Sequence, residues 1–555
     1  MEAFFIMDFL SKYCNKIDFD NYEDFYNNFK LNVPADFNFA YDIVDEYARL
    51  TPEKKALVWC DDKGEEKIFN FADMKRLSDK AASYFTSVGI KKGDCVMLTL
   101  QRRYEYWTIL LGLCKIGAVI IPATHLLTKK DIIYRVNRAE IKMLITIDED
   151  DLCENILLAR KDTPSLKFIC CLTDKAGFIN INTEIEKASE KLVCDYKTNC
   201  KDLLFLYFTS GTTGMPKMVA HIHEYALAHI ITAKYWLCDF DGGLHFTLSE
   251  TGWAKASWGK LFGQWLCGSA IFVYDFHGKF HPVDLLPLIE KYQVTNFCAP
   301  PTVYRFLMKE DLKKYNFSSL KHMTTAGEAL NPEIFKQIKD KTGLSLYEGF
   351  GQTEVVLMLA AFRGYNHTKV GSMGQPCPLY DVFLSDDDGN EVPVGEEGEI
   401  CIRIKADQHG LFNGYYKDDE LTNTQIRNGV YHLGDLAYCD EEGYFWFVGR
   451  KDDIIKSSGY RIGPFEVESA LLEHPAVMEC AITAVPDEIR GQIVKATVVL
   501  AKGYTGNADL IKELQNYVKK ATAPYKYPRI IEFVEALPKT ISGKIRRVEI
   551  REKNK

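Results

Sequence analysis

The chain has 555 residues, more than a single hydrophobic core normally serves, so its length predicts several domains. The hydrophobic (47%) and charged (26%) fractions are ordinary for a globular protein, and the net charge of −9 argues against a nucleic-acid-binding protein, for which a basic face is expected. The 16 cysteines include no Cys-x-x-Cys pair and no zinc-like spacing, which favours a reducing compartment, and we expect a cytoplasmic location.

The N-terminal elements give no sign of a membrane or secretory protein. Residues 1–14 are apolar in places, but they contain Glu2 and Asp8 and lack a basic leader, so a signal peptide is not expected. The longest apolar run, residues 106–123, is interrupted by Lys115 and carries a glycine inside it and a proline near its end. This pattern predicts a helix followed by a buried strand, not a membrane span.

The first 400 residues alternate between two patterns. Short apolar or β-branched runs predict buried strands at 95–100, 143–147, 168–172 and 270–274, and amphipathic stretches predict helices such as 71–89 and 128–140. Strands separated by helices indicate layered α/β sheets with largely parallel strands. Ligands in such folds collect at the carboxyl ends of the strands.

The pattern changes after about residue 380. Turn signals at Asp388-Gly389 and Gly395, flanked by alternating residues, predict antiparallel hairpins. From about residue 453 a compact α/β tail follows, with predicted helices at 464–477 and 507–522 and strands at 479–485, 495–500 and 529–534. We place a domain boundary here and predict a large domain over 1–451 and a small one over 452–555.

The stretch 207–221, YFTSGTTGMPKMVAH, is typical of a loop that binds a polyphosphate, because it offers N–H and O–H donors and one ammonium group. It is not a Walker A loop. That motif needs glycine before the lysine and a hydroxyl residue after it, whereas Pro216 and Met218 flank Lys217. Proline has no N–H to donate, and methionine is a poor ligand for magnesium.

Four further segments are rich in special residues: TTAGEALNP (324–332), YEGFGQTE (347–354), the stretch 431–468 and PKTISGKIRR (538–547). Together with the loop 207–221, and in this order, they resemble the adenylate-forming superfamily of acyl-CoA synthetases, adenylation domains and luciferases. The segments 33–48, 127–146 and 522–547 are similar to the medium-chain acyl-CoA synthetase branch of that family. The resemblance covers nearly the whole chain.

The resemblance implies which residues hold the nucleotide. The loop would hold the β and γ phosphates, and two later segments would enclose the adenine, where the ring of Phe350 can stack on the base. The phosphate residues are Thr209, Ser210, Gly211, Thr212, Thr213, Gly214 and Lys217; the adenine residues are Gly327, Glu328, Ala329, Glu348, Gly349 and Phe350, and Gln352 and Thr353 follow them.

Three charged residues complete the implied nucleotide site. Asp435 resembles the carboxylate that accepts both ribose hydroxyls, and Arg450 would support it from the other side. Glu354 would hold the magnesium ion that neutralises the phosphates.

The small domain is expected to serve two reaction steps in turn. The resemblance makes Lys544 the lysine that reaches the α-phosphate and acyl oxygens during adenylation, and Arg461 an arginine that meets the nucleotide phosphates. Gly459 would face the active site in the second step and help to form the pantetheine channel. Rotation about Asp452 would exchange the two arrangements.

The size of the acid is suggested by Gly351. Family members specific for acetate carry a tryptophan at this position, before the Gln-Thr-Glu run, and that side chain closes the pocket. Glycine removes this wall, so we expect an acid longer than acetate, although Trp253 or Trp258 could shorten the pocket again.

The predicted fold class is therefore multidomain α/β: layered α/β sheets and a β-barrel-like subdomain, followed by a small mobile α+β domain. The predicted activity is an ATP-dependent acid–CoA ligase, with ATP and a short- to medium-chain carboxylic acid (straight, branched or aryl) as substrates, Mg²⁺ as cofactor and coenzyme A as co-substrate. Alternatives left open are a strict acetyl-CoA synthetase, loading of a separate carrier protein and a luciferase-like or non-catalytic relative; a homodimer is also allowed. No base for the CoA thiol is evident.

Overall fold

The structure is a computed structural model that describes residues 9–209, 215–278, 280–327, 330, 332–458, 460–539 and 545–553. Its strands, numbered in chain order, are β1 (Lys55–Asp61), β2 (Glu66–Asn70), β3 (Cys95–Thr99), β4 (Val119–Pro122), β5 (Met143–Thr146), β6 (Phe168–Cys171), β7 (Ile179–Asn180), β8 (Leu203–Thr209), β9 (Lys217–Ile222), β10 (Leu244–Thr247), β11 (Ala270–Asp275), β12 (Asn296–Cys298), β13 (His322–Thr325), β14 (Leu346–Phe350), β15 (Leu359–Ala360), β16 (Gln375–Pro376), β17 (Asp381–Ser385), β18 (Glu397–Arg403), β19 (Ile426–Arg427), β20 (Val430–Cys439), β21 (Phe445–Arg450), β22 (Ile455–Ser457), β23 (Tyr460–Ile462), β24 (Val477–Asp487), β25 (Gly491–Leu500) and β26 (Ile530–Phe533).

Helices cover most of the segments between these strands. The α-helices are Tyr22–Asn28, Glu46–Leu50, Phe71–Ser87, Glu105–Lys115, Lys129–Ala139, Asp150–Ala159, Ile181–Lys187, Tyr225–Ile230, Lys255–Gly259, Phe262–Leu266, Pro282–Lys291, Pro301–Leu307, Pro332–Thr342, Asp419–Gln425, Pro464–Leu472, Ala508–Ala521 and Arg547–Glu552. Two π-helices (Ala40–Asp45, Ile231–Trp236) and three 3₁₀ turns (Arg160–Asp162, Leu312–Lys314, Pro524–Lys526) add to them.

Several helix ends are fixed by capping side chains. The side chains of Asn70 and Thr128 each accept a hydrogen bond from the backbone N–H three residues later, and the carboxylates of Asp73 and Asp131 each accept one from the capping residue's backbone N–H. These reciprocal bonds satisfy N–H groups that the helix itself leaves unpaired. Both helices begin next to the start predicted from the sequence.

Two mostly parallel sheets form the body of the large domain. One has seven strands in the order β7-β6-β5-β3-β4-β8-β9, and the other has nine in the order β16-β15-β14-β13-β12-β10-β11-β1-β2. The parallel strands are almost wholly buried, as expected where helices cover both faces of a sheet. The carboxyl ends of β8, β13 and β14 carry the predicted nucleotide segments.

The hairpins predicted after residue 380 form a five-stranded antiparallel sheet. Its order is β17-β18-β20-β19, and β21 also pairs with β20. This sheet carries Asp435 on β20 and Arg450 on β21, which lie opposite each other in the register.

The C-terminal tail has its own sheet, β23-β22-β25-β24, with β26 parallel to β25. Its own hydrophobic core includes Val467, Leu471, Leu514 and Val518 on two helices that cover the sheet. The predicted organisation into a large N-terminal part and a small C-terminal one is confirmed; the boundary at 451/452 stays a prediction.

Cysteines behave as small hydrophobic residues, as expected. All 16 are free thiols, and all but Cys194, Cys238 and Cys439 are buried. Over the residues that the structure describes, no helix has the length and apolar character needed to cross a membrane.

Candidate active site

The two strands that flank the phosphate-loop segment, β8 and β9, pair as an antiparallel hairpin. Thr209, the last residue of β8, lies opposite Lys217, the first residue of β9. The Lys217 ammonium lies 5.1 Å from the centre of the Tyr415 ring. Burial lowers the pKa of Lys217, and the nearby Glu354 carboxylate opposes that shift.

Part of the predicted site lies outside the described residues. These positions are Ser210, Gly211, Thr212, Thr213, Gly214, Glu328, Ala329, Gly459 and Lys544. Their roles stay predictions, and the geometry of the site rests on the residues that surround them.

Glu354 is held at the mouth of this hairpin. The Tyr415 hydroxyl donates a 3.0 Å hydrogen bond to Oε1 of Glu354, and the Phe412 N–H donates to its backbone carbonyl at 2.7 Å. One residue earlier, the Thr353 carbonyl accepts a 2.7 Å hydrogen bond from Nε2 of His221 on β9. The Gln-Thr-Glu run is therefore fixed to the phosphate hairpin, with Glu354 and Lys217 in one cleft.

Asp435 is buried at the centre of a polar network. Gln352 Nε2 donates to Oδ2 of Asp435 at 2.6 Å, and Arg450 Nη1 donates to Oδ1 at 3.4 Å. Tyr431 in turn donates from its hydroxyl to Oε1 of Gln352 at 3.0 Å. Although burial opposes the charge of Arg450, Asp435 and Asp452 raise its pKa.

A bulge in β20 turns Asp435 toward this network. Cys401 on β18 lies opposite His432, but Glu399, two residues earlier, lies opposite Leu436, so β20 carries extra residues between the two pairs. Gly434 occupies this bulge with a φ of +75°, which glycine adopts without strain. Its N–H donates a 3.1 Å hydrogen bond to the Glu399 carboxylate.

The predicted adenine segments lie at the ends of β13 and β14. Gly327 has a φ of +104°, and a Cβ added there would meet no atom within 4 Å. Gly349, by contrast, is required by packing, since a Cβ there would lie 2.6 Å from the Trp236 indole. The half-buried Phe350 ring lies 6.3 Å from Phe447.

Glu348, on β14, is a buried acid whose pKa is raised. Burial raises the pKa of Glu348 to about 8, and a hydrogen bond from the Leu330 N–H partly offsets that effect. This carboxyl group is therefore mostly protonated at neutral pH and can donate a hydrogen bond.

Gly351 does not leave an open space. A Cβ added to it would lie 2.5 Å from Cη2 of Trp258 and 2.8 Å from the Val356 carbonyl. The buried Trp258 indole therefore occupies the space beside Gly351. Trp253 lies five residues earlier, half-buried, and its N–H donates to the Glu250 carbonyl at 3.4 Å.

Ion-pair partners change on either side of the predicted domain boundary at Asp452. Before it, Arg450 contacts Asp435, and Lys451 contacts Glu399 at 3.0 Å. After it, Asp453 pairs with two arginines of the C-terminal helix, Arg547 and Arg551. Residues just before Asp452 thus form ion pairs with the antiparallel sheet, and the residue just after it forms ion pairs with the C-terminal helix.

Arg461 lies on the outer hairpin of the small domain. It is largely exposed, and its Nη1 lies 4.0 Å from Oδ2 of Asp387, on the turn between β17 and β18. In this arrangement its guanidinium is paired with the antiparallel sheet.

Sequence reasoning missed four residues that hold the site together: Tyr415, Tyr431, His221 and Arg547. Tyr415 lies outside the segments singled out above, and Tyr431, the first residue of the stretch 431–468, was assigned no role. Both act through contacts with Glu354 and Gln352 that are distant in sequence. Arg547 ends the segment 538–547 and was assigned no role there, but it forms 2.7 Å hydrogen bonds to both carboxylate oxygens of the buried Glu468. Its position next to Arg546 gave no signal of this contact.

Comparison with known proteins decides the family. Residues 44–416 match the model of the AMP-binding enzyme family, and residues 466–544 match that of the AMP-binding enzyme C-terminal domain. The chain belongs to the AMP-binding enzyme family. It is 42% identical over 547 residues to the rat mitochondrial acyl-coenzyme A synthetase ACSM3, covering 97% of this chain and 94% of the relative. It is also 42% identical over 534 residues to human mitochondrial ACSM4, covering 94% and 91%.

Solved structures agree with this assignment. The anthranilate CoA ligase AuaEII in complex with anthranoyl-AMP superposes with a TM-score of 0.86 at 28% identity, covering 94% of this chain and 98% of that one. The Brucella canis acyl-CoA synthetase gives a TM-score of 0.74 at 30% identity, covering 97% and 99%. The predictions of fold and activity are confirmed: this AMP-binding enzyme is an acyl-CoA synthetase, which uses ATP to join an acid to CoA through an acyl-adenylate.

One expectation is wrong. The cysteine content led us to expect a cytoplasmic location, but the curated relatives are mitochondrial acyl-CoA synthetases and point to the mitochondrion. Both compartments keep most thiols reduced, so free cysteines cannot separate them.

Proposed function

We propose that the cleft between the phosphate hairpin, β14 and β20 binds ATP and a short- to medium-chain carboxylic acid, and carries out both half-reactions. The observation that carries this proposal is the convergence of Lys217, Glu354, Gln352, Asp435 and Arg450 from separate segments of the chain. In adenylation, a carboxylate oxygen of the acid attacks the α-phosphorus of ATP and pyrophosphate leaves. In thioester formation, the CoA sulfur attacks the acyl carbon and AMP leaves.

The charges of the cleft suit these steps. Lys217, with the loop 209–214, would stabilise the negative charge that grows on the leaving pyrophosphate. Asp435 is buried and already oriented by Gln352 and Arg450, so it would accept two ribose hydroxyls without reorganisation. The protonated Glu348 would offer a hydrogen-bond donor beside the adenine.

Glu354 fits a magnesium site. A carboxylate is the ligand that this hard cation prefers, and the Tyr415 hydroxyl fixes one of the two Glu354 oxygens at 3.0 Å. When bound, Mg²⁺ would neutralise phosphate charge. Thr212, from its place in the loop, would orient the same phosphates.

The acid pocket would end at Trp258 rather than at residue 351. The indole lies against the Gly351 backbone, and the Trp236 ring lies 6.2 Å from it at a near-perpendicular angle. Because the Trp258 side chain that forms this wall can move, the pocket, which Trp253 would also line, favours a short- to medium-chain acid. A branched or aryl acid would fit the same pocket. A strict preference for acetate remains the alternative.

The small domain would alternate about Asp452. The change of ion-pair partners between Lys451 and Asp453 supports a hinge there, because each flank is tied to a different domain. We propose that Lys544 and Arg461 serve adenylation and that rotation then brings Gly459 to the cleft for CoA. The homodimer also remains a prediction.

The experiment is a panel of straight-chain, branched and aromatic acids assayed with ATP, measuring AMP and thioester with and without CoA. We expect thioester and AMP in equal amounts and strong dependence on CoA. AMP formation that ignores CoA, or transfer only to an added carrier protein, would contradict the ligase assignment. Turnover confined to acetate would contradict the proposed acid class.

A further inference from the structure

Three potential metal ligands cluster on one face of the antiparallel sheet, outside the nucleotide cleft. Glu399 and Cys401 are two residues apart on β18, and His432 on β20 lies directly opposite Cys401. Because side chains two apart on a strand share a face with their cross-strand partner, the register itself brings the three together. One ligand atom of each lies within 4.8 Å of the others.

Two of the three distances between the ligand atoms match those within a tetrahedral metal site. Cys401 Sγ lies 3.4 Å from Nδ1 of His432, and that nitrogen lies 3.4 Å from Oε2 of Glu399. Bonds of about 2.0 to 2.3 Å from zinc to nitrogen, oxygen and sulfur place tetrahedral ligands roughly 3.3 to 3.8 Å apart. Sulfur and imidazole ligands suit zinc, whereas magnesium and calcium prefer oxygen alone.

The ligands are held in place by the surrounding sheet. The Gly434 N–H in the β20 bulge donates to Oε1 of Glu399, which leaves Oε2 on the side of His432. Glu399 and Cys401 are buried, and His432 is partly exposed. Three protein ligands with solvent access on one side match sites in which water takes the fourth position.

A lysine competes for one of these ligands. The Lys451 ammonium lies 3.0 Å from Oε2 of Glu399 and also 3.0 Å from Oδ1 of the exposed Asp387. It can therefore leave Glu399 and keep one ion pair. We propose that Glu399, Cys401 and His432 bind Zn²⁺ as a three-ligand site, in competition with the Lys451 ammonium for Glu399. This proposal does not rest on the proposed function of the cleft.

The test is a titration of the metal-free, full-length protein with Zn²⁺ against a chromophoric chelator. We expect one zinc ion per chain. Mutation of residues that only support metal ligands weakens metal binding about 10- to 100-fold. Cys401→Ser and His432→Asn each remove a ligand, so each should weaken zinc binding by more than that. Cys439→Ser is the matched control, since this cysteine also lies on β20 but outside the cluster, and it should bind as the wild type does. Circular dichroism shows that each variant is folded.

Two further readouts separate this site from adventitious binding. Co²⁺ in place of zinc should give a thiolate-to-cobalt charge-transfer band that Cys401→Ser abolishes and Cys439→Ser keeps. Lys451→Met removes the competing ammonium and should tighten zinc binding by about tenfold, the equivalent of one ion pair of about 1.4 kcal/mol. Unchanged binding in folded Cys401→Ser and His432→Asn would overturn the site, and unchanged or weaker binding in Lys451→Met would overturn the competition.

Discussion

Replacing Trp258 by alanine should move the preferred acid to a longer chain. The indole occupies the space beside Gly351, where a Cβ would lie 2.5 Å from it, and it is 5% exposed. If this ring is the end wall of the acid pocket, its removal extends the pocket without touching the nucleotide contacts of Asp435 or Glu354.

The size of the effect follows from the surface that the longer acid buries. Each methylene moved from water into the extended pocket contributes about 0.8 kcal/mol, which is roughly a fourfold gain in kcat/KM. An acid three methylenes longer than the wild-type optimum should therefore gain about 2.4 kcal/mol, or roughly 60-fold, relative to the wild-type optimum acid. Removing a buried tryptophan also costs about 3 to 5 kcal/mol of stability.

The assay is kcat/KM for thioester formation across straight-chain acids, for Trp258→Ala, Trp258→Phe and wild type. Trp265→Ala is the matched control, because Trp265 is a fully buried tryptophan that donates its indole N–H to the Ala56 carbonyl and packs against Phe39. It should lower stability without changing the order of acids. An unchanged chain-length profile in folded Trp258→Ala would refute the reasoning.

Three further changes probe the nucleotide side of the cleft. Asp435→Asn removes a charged hydrogen-bond acceptor worth about 1.5 to 3 kcal/mol and should raise the KM for ATP about 10- to 100-fold. The control Asp381→Asn, on the edge strand β17, should leave the KM for ATP unchanged. Equal KM values in the two variants would contradict the assignment of Asp435 to the ribose. Glu354→Gln should raise the Mg²⁺ concentration needed for half-maximal pyrophosphate exchange by about tenfold or more, and an unchanged requirement would remove Glu354 from the metal site. Glu348 keeps its proton in the folded protein up to pH about 8 but loses it in the unfolded chain near 4.5, so its contribution to stability is lost as pH rises through that window. Glu348→Gln should therefore gain stability relative to wild type between pH 5.5 and 7.5, by up to about 2.7 kcal/mol in thermal unfolding, and a difference that does not vary with pH would show that Glu348 is charged.

Local pattern was enough to predict most of the fold. The apolar run at 168–172 became the buried strand β6, and the amphipathic stretch 128–140 became a helix that starts after the Thr128 cap. In these segments periodicity, capping and burial agree, so neighbours along the chain determine the element. The hairpin β24–β25 is longer than predicted because cross-strand pairing, which local pattern does not reveal, extends both strands.

Candidate site residues could be proposed from the sequence where they belong to a recognisable motif. They could not be proposed where their role depends on a contact between distant parts of the chain. The Gln-Thr-Glu run could be recognised, but its attachment to His221 and Tyr415 could not, since these contacts join residues 61 and 132 positions apart. The acid pocket shows the same limit. The sequence offered Gly351 as a lengthening and Trp253 or Trp258 as a shortening of the predicted pocket, and the packing shows that the Trp258 indole occupies the space beside Gly351.

In the proposed mechanism, one small domain serves two reaction steps with different residues. The most direct measurement compares both half-reactions in Lys544→Ala, with Lys539→Ala as control, since Lys539 lies in the same segment but pairs with Glu479 on the surface. We predict that ATP–pyrophosphate exchange falls about a hundredfold or more, while thioester formation from supplied acyl-adenylate and CoA stays near the wild-type rate. Full exchange activity in Lys544→Ala, or an equal loss in both half-reactions, would contradict the account.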